Sequence, residues 1–260
     1  MKIALALAYT GTKYHGWQFQ SNASSVQEAF EQALSKLACH DVKVFCAGRT
    51  DKGVHATHQI VHFETDTVRE MHAWVLGTNA HLPSSINVQW AQVVPEHFHA
   101  RFSAISRAYH YVIYNDKIKP THFMEGITWY PYHIDEKLMQ QAAQYLIGEH
   151  DFSSFRDKEC QAKHPVRTIE FIDIKRKDKV IVIHIKANAF LHHMVRNIVG
   201  TLLPIGQGKQ PIEWMQQVLQ EKNRSKAGLT APAQGLYLTE VNYPEEFVLP
   251  SARTLPWMLM

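Results

Sequence analysis

The segment from Cys46 to Ala56 holds the residues best suited to chemistry in this chain of 260 residues. It reads Cys-Ala-Gly-Arg-Thr-Asp-Lys-Gly-Val-His-Ala, so that Asp51 lies between the cations Arg49 and Lys52. Neighbouring positive charge favours an ionised carboxyl group, and an ionised carboxylate can act as a nucleophile or a base. A hairpin turn in which Asp51 bonds only the backbone explains the same composition. Residue types alone leave both interpretations open.

Histidine is abundant, with 17 residues, and three of these are closely spaced. His55, His58 and His62 are three and four residues apart, a spacing that would place them on one face of a helix. The segment instead predicts a turn followed by a strand, with His58 and His62 on one side and His55 on a bend. Since the sequence contains neither a Cys-x-x-Cys pair nor a His-Glu-x-x-His motif, we expect no metal site.

The composition is that of an ordinary folded protein, with 45% hydrophobic and 20% charged residues, which excludes the disordered and low-complexity classes. A formal net charge of +3 permits a polyanionic partner without requiring one. Three cysteines without a Cys-x-x-Cys pair indicate a reducing, cytoplasmic compartment. We expect no membrane association, because no apolar stretch approaches the roughly 20 residues that span a bilayer and the first apolar run is too short for a signal sequence.

Hydrophobic periodicity separates strands from helices along the chain. Short apolar runs predict strands at residues 3–9, 42–47, 59–65, 86–94, 108–114, 168–174, 180–185 and 236–241. Apolar residues at helical spacing predict helices at 26–37, 69–80, 135–147, 190–205 and 212–221, the first capped by Ser24 or Ser25. Because helices interrupt the strands irregularly and residues 175–179 form a hairpin turn, the pattern favours an α+β fold with largely antiparallel sheet. We expect two similar subdomains, at residues 1–105 and 106–260.

Seven segments resemble, in the same order, the tRNA pseudouridine synthase A family. They are Gly48-Arg49-Thr50-Asp51-x-Gly53-Val54-His55-Ala56 and residues 99–104, 107–111, 150–155, 187–190, 194–200 and 235–238. The resemblance extends over residues 3–243 and therefore covers nearly the whole chain. Two positions depart from the family pattern, since Lys52 stands where alanine is usual and His192 stands where arginine is common.

This resemblance implies an isomerase that converts uridine to pseudouridine at positions 38, 39 and 40 in the anticodon arm of tRNA. It implies no cofactor, a homodimeric working form, and two subdomains whose sheets join into one extended sheet around a central cleft. A tRNA-binding protein without catalytic activity is the alternative, although the joint presence of Asp51, Tyr109 and Arg196 favours the enzyme. An aspartyl-phosphate phosphotransferase would need a second acidic motif or a Walker loop, and the sequence has neither.

The family pattern also implies roles for five residues. Asp51 would be the nucleophile, through attack on C6 of the uracil or on the sugar carbon, and the sequence leaves both routes open. The base must leave the helical stack before it can react, and the planar guanidinium of Arg49 would fill the space that base flipping vacates. Tyr109 would stack on the uracil, Arg196 would keep the nucleophile ionised, and Leu238 would line the uracil pocket or serve only as a core residue.

Contacts with the RNA are expected from a further group of residues at the rim of the cleft. Several are cations that could neutralise phosphates, and one segment alternates aromatic with cationic residues. The group comprises Arg69, Phe98, His99, Ala100, Arg101, Phe102, Lys117, Glu159, Cys160, Gln161, Ala162 and Lys163. Each of these, taken alone, is more commonly just a solvated residue.

Overall fold

The computed structural model describes residues 1–250, 255–256 and 259. The chain packs as two compact units, one formed by Met1–Ile105 with the described residues from Tyr237 onward, and the other by Ser106–Leu236. The sequence instead places all of residues 106–260 in one subdomain. The two divisions differ because the last strand pairs with a strand of the first unit. Among the described residues, no helix is long and apolar enough to cross a membrane.

Strands and helices account for most of both units. The strands are β1 (Lys2–Tyr9), β2 (Phe45–Cys46), β3 (His55–Glu64), β4 (Ile86–Val94), β5 (Ser106–Asn115), β6 (Thr128–Tyr130), β7 (Gly148–Asp151), β8 (Val166–Lys177), β9 (Val180–Ala187) and β10 (Leu236–Asn242). The α-helices are α1 (Val26–Ala38), α2 (Met71–His81), α3 (Glu136–Ala143), α4 (Met194–Gly206) and α5 (Trp214–Glu221).

The sheet of the first unit is built around β1, which pairs antiparallel with both β3 and β4. β10 adds to β3 in parallel, and β2 pairs with β3 antiparallel. Ile3, Leu5 and the intervening Ala4 are all fully buried, so β1 is covered on both faces. Burial on both faces explains why its sequence is a continuous apolar run rather than an alternating one.

Two helices complete the first unit. The hydroxyl of Ser25 accepts a hydrogen bond from the backbone N–H of Glu28 at 3.2 Å and caps α1, as the sequence predicts. α2 packs against β4 and α1, and its Trp74 meets the ring of Phe63 edge-on at 5.2 Å. Trp74 of α2 therefore covers Phe63 of β3.

In the second unit the strands follow the order β5, β9, β8 and β7, all antiparallel, while β6 pairs in parallel with β5. Ile181, Ile183 and Ile185 alternate along β9 and are buried. α3 packs on β8, and the side chain of Gln140 bonds the backbone of β8 at Ile172 and Ile174. The hairpin predicted between β8 and β9 is confirmed.

Several element boundaries differ from the sequence-based prediction. β3 begins at His55 rather than at residue 59, because Ala56 already pairs with β1 and β10. α4 begins at Met194 rather than at residue 190, since His193 adopts a left-handed φ of 60° that no helix can contain. β6 and β7 have only three and four residues, too few to show a period in the sequence.

The α+β class is confirmed, because each unit combines helices with a mixed sheet that is mainly antiparallel. The similarity of the two halves and the extension of one sheet across them stay predictions.

Candidate active site

Asp51 lies in a tight turn whose backbone is fixed by its neighbours. The N–H of Val54 donates to the carbonyl oxygen of Asp51 at 3.1 Å and closes the turn. Gly53 has a φ of 79°, in the region that only glycine enters without strain. Thr50 is buried, and its Oγ1 lies 2.8 Å from the hydroxyl of Tyr9. The turn expected from composition is therefore present, and its Asp51 side chain is half-buried rather than fully solvated.

Two glycines from a distant part of the chain hold this turn in place. The backbone of residues 16 and 17 packs against it, and the N–H of Trp17 donates to the carbonyl oxygen of Thr50 at 3.0 Å. A Cβ atom on Gly16 would lie 2.7 Å from that same oxygen, and one on Gly11 would lie 1.9 Å from the carbonyl oxygen of Val54. The sequence did not indicate that either glycine positions the Asp51 turn. The sequence feature that could have indicated this role is the occurrence of two glycines, Gly11 and Gly16, shortly after β1.

Gln59 anchors the other end of the turn. Its side chain is fully buried, and its amide nitrogen donates to the carbonyl oxygen of Gly48 at 2.5 Å. Its Oε1 accepts from the N–H of Gly48 at 3.4 Å. Between these anchors the Arg49 side chain is exposed to solvent, two residues before Asp51. The segment therefore combines a fixed backbone with an exposed guanidinium and a half-buried carboxylate.

β10 brings Leu238 to the same part of the first unit, although it is almost 190 residues away from Asp51 in sequence. Leu238 pairs with Ala56 and is fully buried. Its neighbour Tyr237 stacks on the ring of His55 at 4.7 Å, with 21° between the ring planes. The Nδ1 of His55 accepts a hydrogen bond from the N–H of Gly11 at 3.2 Å. The structure thus joins Leu238 to the elements that hold the Asp51 turn.

Tyr109 and Arg196 belong to the second unit. Tyr109 is a buried residue of β5 whose ring meets Phe190 edge-on at 5.0 Å, with an interplanar angle of 86°. Arg196 lies in the first turn of α4 and is half-buried. Its Nε donates to the carbonyl oxygen of Ala231 at 2.8 Å, and its own carbonyl accepts from the N–H of Ala231 at 3.1 Å. These two bonds fix Arg196 against the chain segment that leads into β10.

Asn197 holds that segment from the adjacent position in α4. Its fully buried side chain donates to the carbonyl oxygen of Phe155 at 2.8 Å. Its Oδ1 accepts from the guanidinium of Arg224 at 2.9 Å and from the hydroxyl of Thr230 at 2.7 Å. A Cβ atom on Gly200 would lie 1.6 Å from the carbonyl oxygen of Leu229, which shows how closely helix and segment approach. The sequence did not indicate this role of Asn197.

The three closely spaced histidines each have their own hydrogen-bond partner. His55 is part of β3 and not on a bend, contrary to the sequence-based expectation. The Nδ1 of His58 lies 3.4 Å from Oε1 of Gln89, and the Nδ1 of His62 accepts from the N–H of Ala100 at 3.1 Å. Burial lowers the pKa of His58, with smaller opposing effects from Gln89 and Glu240. These contacts are those of individually packed histidines.

The predicted RNA contacts divide by exposure. Phe98 and Ala100 are fully buried, so their side chains offer no surface to RNA, and contacts of these two residues with RNA stay predictions. Phe98 packs against the rings of His62, Tyr243 and Phe247 instead. The side chains that are exposed are those of Arg101, Phe102, Lys117, Glu159, Gln161 and Lys163.

Arg69 and His99 have structural contacts that the sequence did not indicate. The Nε of Arg69 donates to the carbonyl oxygen of Leu37 at 3.0 Å, near the C-terminal end of α1. Burial lowers the pKa of His99, and the nearby Lys2 and Arg101 act in the same direction. His99 is therefore a poor candidate for a cation that binds phosphate. Contacts of both residues with RNA stay predictions.

The segment 159–163 in the second unit is held from one side by Arg156. The guanidinium of Arg156 donates to the carbonyl oxygens of Cys160 and Ala162, both at 2.8 Å. His192 contacts the same region, since its N–H donates to the Sγ of Cys160 at 3.4 Å. His192 is one of the two departures from the family pattern, and here its backbone helps to position the predicted RNA-contacting segment.

Comparison with known proteins gives one consistent result. A family model described as tRNA pseudouridine synthase matches residues 5–103 and 142–244. The tRNA pseudouridine synthase A of Photobacterium profundum is 53% identical over 259 residues, covering 100% of this chain and 99% of the relative. That of Pseudomonas aeruginosa is 52% identical over 259 residues, covering 99% of this chain and 91% of the relative.

Among solved structures, the chain is similar to one in the crystal structure of the archaeal box H/ACA sRNP Nop10–Cbf5 complex, with a TM-score of 0.35 and 10% sequence identity. The superposition covers 90% of this chain and 56% of that chain. The family model matches well over half of this chain, and the curated relatives are about half identical to it along their whole length. The chain therefore belongs to the tRNA pseudouridine synthase family.

Proposed function

We propose that this member of the family modifies uridines 38, 39 and 40 in the anticodon arm of tRNA, with Asp51 as the nucleophile. Isomerisation of tRNA uridine as such follows from membership of the family. The observation that carries the assignment of Asp51 is its turn, which backbone bonds and two close glycine contacts hold rigidly while the carboxylate stays partly accessible. A nucleophile needs this combination of fixed position and access.

The reaction sets the requirements on the site. The bond between uracil N1 and the sugar carbon breaks, the uracil turns, and its C5 joins the sugar carbon. The C5 proton then leaves and N1 takes up a proton, so that the product is an isomer of uridine. Attack by Asp51 on C6 or on the sugar carbon requires an ionised carboxylate in either case. The family resemblance further assigns stacking on the uracil to Tyr109, ionisation of the nucleophile to Arg196, and a wall of the pocket to Leu238.

A homodimer and a cytoplasmic location complete the proposal. Both come from the family resemblance and the cysteine content, and Cys39, Cys46 and Cys160 are free among the described residues. A tRNA-binding protein without catalytic activity is not favoured, because the curated relatives bear the names of synthases over their whole length.

The choice of uridines is tested with three tRNA transcripts. Each has a uridine at only one of positions 38, 39 and 40, and the rest of the tRNA sequence is unchanged. Pseudouridine should form at each of these positions and at none of the other uridines in the same transcript. Mapping of pseudouridine by chemical sequencing measures the result. Modification confined to another arm of the tRNA would overturn the proposed substrate site.

Replacement of Arg49 by alanine is expected to slow turnover strongly while tRNA affinity stays near that of the wild type. In this proposal the exposed guanidinium occupies the space that the flipped base leaves, and a lysine lacks the planar group needed for this. Arg49→Lys should therefore rescue turnover poorly. Single-turnover kinetics on an intact anticodon stem measures the effect.

Lys52→Ala is the matched control for Arg49, since Lys52 is an exposed cation of the same turn. Its removal should reduce turnover much less than removal of Arg49. Normal turnover in Arg49→Lys, or an equal loss in Lys52→Ala, would show that charge rather than the planar group matters.

A further inference from the structure

Three aromatic rings form a continuous surface on the first unit. Phe45 from β2 lies 5.5 Å from His99, and His99 lies 4.4 Å from Phe102, measured between ring centroids. Phe45 is 54% exposed and Phe102 is 74% exposed. Such exposure is unusual, because large aromatic side chains are commonly buried in cores or interfaces. We refer to Phe45, His99 and Phe102 as the aromatic platform.

Phe45 rests on a ring that is itself fixed. It stacks on His62 at 5.1 Å, with 20° between the planes. His62 is buried, and its Nδ1 accepts from the N–H of Ala100. Burial, with the nearby His99 and Lys2, lowers the pKa of His62 to about 4, so the imidazole is neutral at neutral pH. One face of Phe45 is therefore covered by a rigid apolar support, and its exposed area lies elsewhere on the ring.

The middle of the platform is also held in place. The Nδ1 of His99 accepts hydrogen bonds from the N–H groups of Arg101 and Phe102, at 3.1 and 3.3 Å. The guanidinium of Arg101 lies 5.5 Å from the centre of the Phe102 ring, within the range of a cation–π contact. The platform is thus preorganised and has a cation at its edge.

A second cation, Arg49, is exposed and lies four positions after Phe45 in the chain. Cys46 follows Phe45 directly, and the positive charges of both Arg49 and Arg101 lower the pKa of its thiol against the larger raising effect of burial. Both guanidinium groups therefore act on Cys46, the neighbour of Phe45 in β2. Along the chain, Asp51 lies six positions after Phe45.

We propose that the aromatic platform binds an unpaired nucleobase of the RNA substrate by stacking. The inference rests on the proposed function, since it names a further contact of the same substrate. Exposed rings with the cation Arg101 at their edge and the exposed Arg49 nearby in the chain match single-stranded nucleic acid, whose bases stack while its phosphates pair with arginines. A protein partner would not need the two arginines, and a phosphate alone would not need the rings. His99 and Phe102 belong to the segment of alternating aromatic and cationic residues for which the sequence predicted RNA contacts, and Phe45 adds a ring from outside that segment.

The test compares tRNA affinity in Phe45→Leu, Phe102→Leu and Phe45→Trp at several salt concentrations. Leucine keeps the apolar character and removes the aromatic face, so each leucine variant should raise Kd at least about fivefold. Phe45→Trp should bind like the wild type. Since stacking releases no counterions, the salt dependence should keep its slope in these variants. Arg101→Ala should instead flatten the slope by about one unit.

Phe19→Leu is the control, because Phe19 is 50% exposed in the same unit and makes no ring contact with the platform. It should leave Kd unchanged, and circular dichroism should show all variants folded. Wild-type affinity in both leucine variants would overturn the platform, and so would an altered salt slope. Failure of the proposed function is visible separately, because the wild-type protein would then not isomerise uridines 38, 39 and 40 whatever the affinities are.

Discussion

Asp51→Asn is expected to reduce turnover by more than about a thousandfold while the fold and the affinity for tRNA are kept. Asparagine has the same size but lacks the charge and the nucleophilicity of the carboxylate. The turn should not collapse, because it is held by backbone bonds at Thr50, Asp51 and Val54 that involve no carboxylate. Affinity should survive because the lost charge has the same sign as the RNA.

Tritium release from tRNA labelled at C5 of uridine measures turnover, and filter binding measures affinity on the same preparation. Asp66→Asn is the control, since Asp66 is an exposed carboxylate of the same unit. It should behave like the wild type in both assays. A folded Asp51→Asn protein that releases tritium at close to the normal rate would show that the nucleophile lies elsewhere.

Gly11→Ala is expected to lower turnover by about a hundredfold in a protein that still folds. The new Cβ atom would lie 1.9 Å from the carbonyl oxygen of Val54, so one of the two backbones must move. Val54 closes the turn of Asp51, and a displacement of about 1 Å at a reacting group can cost roughly a hundredfold in rate. The crowding should also lower the free energy of unfolding by about 1–3 kcal/mol.

Gly77→Ala is the matched control for this change. Its Cβ atom would meet the end of the Leu37 side chain at 2.8 Å, and a flexible side chain can move where a carbonyl group cannot. Turnover at saturating tRNA and the thermal midpoint Tm are measured for both variants. If Gly11→Ala keeps a normal kcat, then the contact between Gly11 and Val54 does not position Asp51.

The sequence by itself determined the features that depend on neighbouring residues. The cap of α1 at Ser25, the hairpin of β8 and β9, and the turn that carries Asp51 all follow from local periodicity and turn chemistry. The order of the motifs was enough to recognise the family, which the comparisons confirm. These predictions succeed because each depends on residues within one element or turn.

Only the tertiary structure decided which residues from distant parts of the chain come together. Phe98 and Phe102 look alike in sequence, yet rings from the chain end bury Phe98 while Phe102 stays exposed. Likewise, β10 joins the first unit because it pairs with β3, and Gly11 fits closely only because Val54 packs against it. Burial and close contact depend on which segments pack together in the assembled fold. The hydrophobic periodicity of one segment does not reveal which distant segment packs against it.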